Sequence, residues 1–169
     1  VANVDGHRRV FSGAPGWRHW RKNGRDNDGD GEAFGPGDGV DLNRNWDHNW
    51  EEDPSLDPAS PNYKGPRPFS EPETVALRNL VLRERPVIAV DYHSPGKVTP
   101  PNKIFWPWLE RETGREGPHA DLFRPIAQAF AARTETEVDG VYYDGDWYGY
   151  DRLPKAQNWI YRETGACAL

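Results

Sequence analysis

Ser70-Glu71-Pro72-Glu73-Thr74-Val75-Ala76-Leu77-Arg78-Asn79-Leu80-Val81-Leu82-Arg83-Glu84-Arg85-Pro86-Val87-Ile88-Ala89-Val90 carries a helix signal and a strand signal back to back. Ser70 and Glu73 read as a capping box, with Pro72 tolerated in the first turn. The helix is predicted to run to about Arg85, with Leu77, Leu80, Val81 and Glu84 on one face, and Pro86 stops it. Val87-Ile88-Ala89-Val90 is a short continuous apolar run, as expected of a strand covered on both faces. Farther out, Lys103-Ile104-Phe105-Trp106-Pro107-Trp108 reads as a strand that Pro107 limits to an edge or end. Residues 120–133 read as a helix with Leu122, Phe123, Ile126, Ala127 and Phe130 inward. Residues 156–163 form a short helix, and residues 166–169 begin a buried strand. This alternation predicts an α/β layer architecture.

Residues 1–70 are dominated by loop signals instead. Asp26-Asn27-Asp28-Gly29-Asp30-Gly31 mimics the first half of a calcium loop, but the twelfth position is Gly37 where a bidentate Glu is required. A solvated turn is the expected structure there. No internal repeat and no low-complexity tract interrupts the 169 residues, a length that suits one domain or part of one. A net charge of −6 argues against a nucleic-acid partner and leaves no polybasic patch for a membrane surface. No apolar run approaches a membrane span. Eight Trp, seven Tyr and six Phe suit either an aromatic-walled cleft or ordinary packing. The one cysteine, Cys167, rules out an internal disulfide and a cysteine-based zinc cluster, and its apolar neighbours predict a buried small hydrophobe.

Chemistry enters with Gly39-Val40-Asp41-Leu42-Asn43-Arg44-Asn45-Trp46. The guanidinium of Arg44 beside the amide of Asn43 can grip a carboxylate, one by a planar donor fork and the other by a further N–H. Such a grip suits a substrate recognised by its free carboxyl end. Upstream stand Asn3-Val4-Asp5-Gly6 and Trp20-Arg21-Lys22-Asn23; downstream stand Gly65-Pro66-Arg67-Pro68-Phe69-Ser70-Glu71-Pro72-Glu73 and Asp91-Tyr92-His93-Ser94. In this order the motifs resemble those of the zinc metallocarboxypeptidases, the carboxypeptidase A/B-like family. The departure is Val4, where the family has Pro.

The resemblance covers nearly the whole chain. It implies an α/β fold with a mixed, largely parallel central sheet flanked by helices, apparently incomplete at both ends. Residues 1–169 would form a single partial domain. The family binds zinc through two His and one Glu, leaving a position open for water. His93 matches the ligand that follows the central strand. The other two are expected in a His-x-x-Glu motif before Val1, and the general base in a Glu after Leu169, so this chain alone is expected to be inactive and to bind zinc weakly. His48-Asn49-Trp50-Glu51 has the ligand spacing but stands on the wrong side of Arg44, and it reads as surface loop. Arg21 matches the arginine that polarises the scissile carbonyl, and Asn43 and Arg44 match the pair that holds the terminal carboxylate. Asn45 and Trp46 are expected to support that loop.

Near the C-terminus, Gln157-Asn158-Trp159-Ile160-Tyr161-Arg162-Glu163-Thr164-Gly165 resembles the segment leading to the last active-site strand. It places Tyr150 at the tyrosine that closes over substrate, with Tyr148 a rival. Gln157 falls in the specificity pocket, to which Asp144 or Asp146 could add charge favouring a C-terminal Lys or Arg. The implied partner is a peptide or protein C-terminus, with no nucleic acid and no membrane. The chain is expected to be a monomer or to pair with the missing part of its own domain, in a secreted or periplasmic protein. Alternatives are a non-catalytic carboxylate- or peptide-binding module of the same fold and a peptidoglycan-peptide hydrolase.

Overall fold

The computed structural model describes residues 3–13, 20–92, 103–104, 106, 109–110, 115–116, 118–134, 137–138 and 154–169. Contacts divide the chain into two compact units, Val1–Arg83 with Leu153–Lys155, and Glu84–Arg152 with Ala156–Leu169.

The first unit opens on a helix that the loop-rich composition concealed. Helix α1, Val4–Val10, is capped by Asn3, whose side-chain oxygen accepts from the Gly6 amide at 2.8 Å. A Cβ on Gly6 would lie 2.3 Å from the Asn3 amide nitrogen, so a side chain there would displace the capping Asn3. The same Asn3 amide donates to the carbonyls of Arg21 and Lys22 at 3.2 and 3.0 Å. The next segment is laid down by backbone pairing: the Asn23 amide donates to the Val40 carbonyl at 3.1 Å and Gly39 to the Arg25 carbonyl at 2.8 Å. Gly39 sits at a φ of 72°, and a Cβ there would stand 2.3 Å from the Asn23 carbonyl oxygen. Only glycine allows that approach.

Helix α2, Pro72–Glu84, begins and ends close to its predicted limits. Arg85, just past it, adopts a left-handed φ of 44° before Pro86. The capping box does not form. Ser70 Oγ instead accepts from the Asn45 amide at 2.8 Å and donates to Glu71 at 2.7 Å. Glu73 lies at 3.4 Å from the Asn23 amide, so the tertiary partners outcompete the local cap. Only Thr74 is buried on α2, and Leu80, on the predicted inner face, is exposed.

The centre of this unit is Asn45, which is wholly buried. Its amide nitrogen donates to the Lys64 carbonyl at 2.9 Å, the Arg67 carbonyl at 3.1 Å and Ser70 Oγ at 2.8 Å. Its oxygen accepts from Thr74 Oγ1 at 2.7 Å and the Glu71 amide at 3.3 Å. Beside it Trp46 meets Phe69 edge-on, centroids 5.6 Å apart. Phe69 holds a φ of 51°, unusual for a residue with a side chain, and donates its amide to the Asn45 carbonyl at 2.8 Å.

The second unit carries every strand described. Strands β1, Ile88–Ala89, and β6, Cys167–Ala168, pair in parallel, as do β2, Lys103–Ile104, and β5, Glu137–Val138. Strands β3, Leu109–Glu110, and β4, Arg115–Glu116, pair antiparallel. The result is a mixed sheet inventory with two parallel pairings to one antiparallel, in keeping with the expected class. Strand β1 was expected to be covered on both faces, yet Val87, Ile88 and Val90 are exposed in this chain. Among the described residues, it pairs with β6 alone. Strand β6 matches its reading: residues 166–169 are all buried, Cys167 included, and burial pushes that thiol's pKa up.

Helix α3, Ala120–Thr134, buries Ala120, Phe123 and Ala127, a narrower stripe than predicted, because Leu122 and Ile126 face outward. Helix α4, Ala156–Thr164, is joined to α3 through Tyr161, whose hydroxyl lies 2.7 Å from His119 Nδ1 and whose ring meets Phe123 at 5.1 Å. Gly165, at a φ of 72°, takes the left-handed position that ends α4, donating to the Tyr161 carbonyl at 2.9 Å.

Replacing Asn45 by Ala removes the amide from three acceptors and two donors and leaves a buried void, with the Lys64 carbonyl keeping Trp50 Nε1 and Thr74 Oγ1 keeping the Glu71 carbonyl. Asn45→Ala should lower unfolding stability by at least about 3 kcal/mol, read from urea melts with unchanged slope; a loss below about 1 kcal/mol would show that the surrounding groups re-pair without it.

Candidate carboxylate-binding site

Asp41 organises the candidate site. It caps the 3-10 turn Leu42–Arg44, its Oδ1 accepting from the Asn43 amide at 3.1 Å and its carbonyl from the Arg44 amide at 2.8 Å. Its Oδ2 lies 2.7 Å from Arg21 Nη2. One buried carboxylate therefore ties Arg21 to the turn that bears Asn43 and Arg44. The Asp41 amide in turn donates to the Tyr63 carbonyl at 2.8 Å, anchoring the turn to the following loop.

The two arginines differ in setting. The Arg21 side chain is 39% exposed, and a cavity of about 130 Å³ opens beside it between residues 20–22 and 35–37. Arg44 is 5% exposed at its side chain, donates from Nη1 to the Asn43 carbonyl at 3.1 Å, and has Nε 3.7 Å from Asp53 Oδ2. Asp53 is itself 1% exposed, so the pair is a buried one. Asn43, between the two arginines in the chain, is half-buried.

Two buried lysines brace this region. Lys22 Nζ donates to the Pro58 carbonyl at 2.7 Å. Lys64 Nζ donates to the carbonyls of Trp50 and Asp53 at 2.7 and 2.6 Å and lies 3.9 Å from the centre of the Trp50 ring. Burial lowers both ammonium pKa values, partly offset for Lys22 by Asp38, Asp41 and Asp57 and for Lys64 by Asp53 and Glu51.

Among the predicted site residues, Arg21, Asn43 and Arg44 all lie in the first unit, on segments joined through Asp41. Gln157 lies in the second unit on α4, and it is buried. His93 and Tyr150 lie outside the described residues, as do Tyr148, Asp144 and Asp146. His48 was expected on the surface; it is 5% exposed, while Glu51 faces solvent on the 3-10 turn Trp50–Glu52. The bend through residues 46–49 that buries Trp46 and Trp50 carries His48 inward with them.

Sequence reasoning did not single out Asp41, Asp53 and Lys64, which the structure places in contact with the candidate residues or with one another. Asp41 had a signal, an Asp two residues before Asn43 in cap position. Asp53 and Lys64 had none, because each gains its role from contacts made across the loop.

As to metals, among the described residues only Asp26, Asp28 and Asp30 bring three ligand groups within 4.8 Å of one another. An all-oxygen set suits a hard cation rather than zinc. The described residues do not by themselves fit a zinc centre. Their carboxylates are taken up within the turn: Asp26 accepts from the Gly29 and Gly31 amides, Asp28 from Asp30 and Asp30 from Glu32, at 2.7, 3.0, 3.1 and 2.8 Å. Those bonds lower the Asp26 pKa, the Gly29 amide foremost.

Comparison with known proteins sets this geometry in a family. A family model described as zinc carboxypeptidase matches residues 1–168. The chain belongs to the zinc carboxypeptidase family. A metallocarboxypeptidase A-like protein of Trichophyton verrucosum is 34% identical over 136 residues, 78% of this chain and 29% of that protein. Zinc carboxypeptidase A 1 of Anopheles gambiae is 30% identical over 166 residues, 95% of this chain and 34% of that protein. The crystal structure of carboxypeptidase A from Helicoverpa armigera superposes with a TM-score of 0.75 at 25% identity, covering 99% of this chain and 39% of that one. The chain thus spans about a third of the length of these relatives, and its fold is the α/β fold of the carboxypeptidases.

Lys64 yields a test of the buried charges. Its folded pKa lies below the ordinary 10.5, so between the two values the unfolded chain binds more protons and stability rises with pH. Lys64→Met should remove that contribution. The stability difference, wild type minus variant, should therefore grow as pH is raised from neutral toward 10.5; a flat or shrinking difference in denaturant melts would contradict burial of the charged form.

Proposed function

We propose that this chain is part of a zinc metallocarboxypeptidase that hydrolyses the C-terminal peptide bond of proteins or peptides. The observation that carries the reading is the Asp41-anchored turn, which fixes Asn43 and Arg44 on one side and Arg21 on the other. Arg44 and Asn43 bind the substrate's terminal carboxylate by charge-assisted hydrogen bonds. Arg21, part exposed beside its cavity, stabilises negative charge developing on the scissile carbonyl oxygen.

His93 is the proposed zinc ligand of this chain, with two further ligands from outside it. Tyr150 is proposed to close over bound substrate. Gln157 is proposed to line the pocket for the C-terminal side chain; its Oε1 is buried and has no hydrogen-bond partner among the described residues, an acceptor suited to a donor group. The partner is a peptide or protein C-terminus. We place the protein in a secreted or periplasmic setting, acting as a monomer once its domain is complete.

The test is Arg44→Ala in the complete carboxypeptidase that carries this chain. Free-acid peptides should bind about 10- to 100-fold more weakly, the loss of one shielded charge-assisted bond. The C-terminally amidated peptide, which lacks the anionic group, should be nearly indifferent to the substitution. Equal losses for both would mean that Arg44 supports the loop and does not read the substrate.

A further inference from the structure

We propose that Asp53 is a positioning residue for Arg44, its buried carboxylate orienting the guanidinium for the substrate's terminal carboxylate. The inference rests on the reading of Arg44 given above.

Asp53 Oδ2 stands 3.7 Å from Arg44 Nε, beyond hydrogen-bond length, with both side chains at or below 5% exposure. The contact therefore acts through charge. Screening by solvent is weak at such burial, so this one anion biases a long, rotamer-rich side chain. Asp53 is rigidly placed. Its Oδ1 accepts from the Ser55 amide at 2.8 Å, its own amide donates to the Trp50 carbonyl at 3.2 Å, and its carbonyl accepts from Lys64. Lys64 bonds the Trp50 and Asp53 carbonyls together, closing the turn from both ends.

Arg44, Asp53 and Lys64 are all buried, and Glu51 faces Lys64 from the solvent side. The Asp53 carboxylate is thus held between the guanidinium it orients and the ammonium that clamps its own carbonyl.

The experiment compares Asp53→Asn, Asp53→Glu and Arg44→Ala in the complete zinc-loaded enzyme. It measures KM and kcat for a free-acid peptide and Ki for its C-terminal amide. Asp53→Asn keeps the size and the Ser55 bond but removes the charge. It should raise KM about tenfold, leave kcat within about twofold and leave the amide's Ki unchanged. Asp53→Glu retains the charge and should recover part of the loss; it also carries the test if Asp53→Asn does not fold, again by raising KM for the free acid alone. A change shared equally by acid and amide, or no change in either variant while Arg44→Ala still discriminates acid from amide, overturns the positioning role and leaves the function standing. If Arg44→Ala itself fails to discriminate, the carboxylate reading falls, and the role of Asp53 with it.

Discussion

A single side-chain amide, that of Asn45, holds together the segments of the first unit that carry Arg21, Asn43 and Arg44. An amide nitrogen has two hydrogens and here faces three acceptors within 3.1 Å, while its oxygen has two lone pairs and faces two donors. The group is saturated and wholly buried, a state in which each bond is strong and each loss costly. Through it the turn bearing Asn43 and Arg44 is joined to the loop at Lys64 and Arg67 and to the start of α2. Glu71, at the head of that helix, then accepts from Arg25 at 2.6 Å and Asn23 at 2.8 Å. Because Asn23 also caps the Val40 amide at 2.8 Å, the segment holding Arg21 is bound into the same network. A loop-rich unit acquires its rigidity from these polar bonds where a layered domain would use apolar faces.

Charges are then distributed on this frame in pairs of unequal exposure. Arg21 and Asp41 form a short pair with one partner open to solvent; Arg44 and Asp53 form a longer one with both partners buried. Buried pairs of this kind add little net stability, since desolvation offsets most of their attraction, but they fix geometry. That is the requirement of a site that must present donors to a carboxylate without reorganising at the moment of binding. Lys22 and Lys64, bonded to carbonyls rather than carboxylates, supply positive charge and clamp loops at the same time.

The parts of the fold that were legible in the sequence are those set by local rules. Pro86 ended α2, and the apolar residues 166–169 gave a buried β6, because breakers and apolar runs act over a few residues. The Ser70 capping box was misread because Asn45, far off in the chain, claims its hydroxyl. Helix α1 escaped notice because Asn3 and Gly6 look alike as a turn or as a cap. Strand β1 formed where expected, but its apolar residues are not covered in this chain, and covering is a tertiary property that no short run can report. For the candidate site, motif order singled out Arg21, Asn43 and Arg44, which the structure joins through Asp41. Asp53 and Lys64 stayed invisible because their partners are set by how the loop folds back on itself.

The most direct measurement is mass spectrometry of an unblocked peptide incubated with the complete zinc-loaded enzyme that carries this chain, beside its C-terminally amidated twin. The expected products of the free acid are the peptide shortened by one residue at a time from its C-terminus, with formation stopped by a chelator and restored by zinc, and the amidated twin left largely intact. Internal cleavage, or equal trimming of the acid and the amide, would contradict a site built to hold a terminal carboxylate.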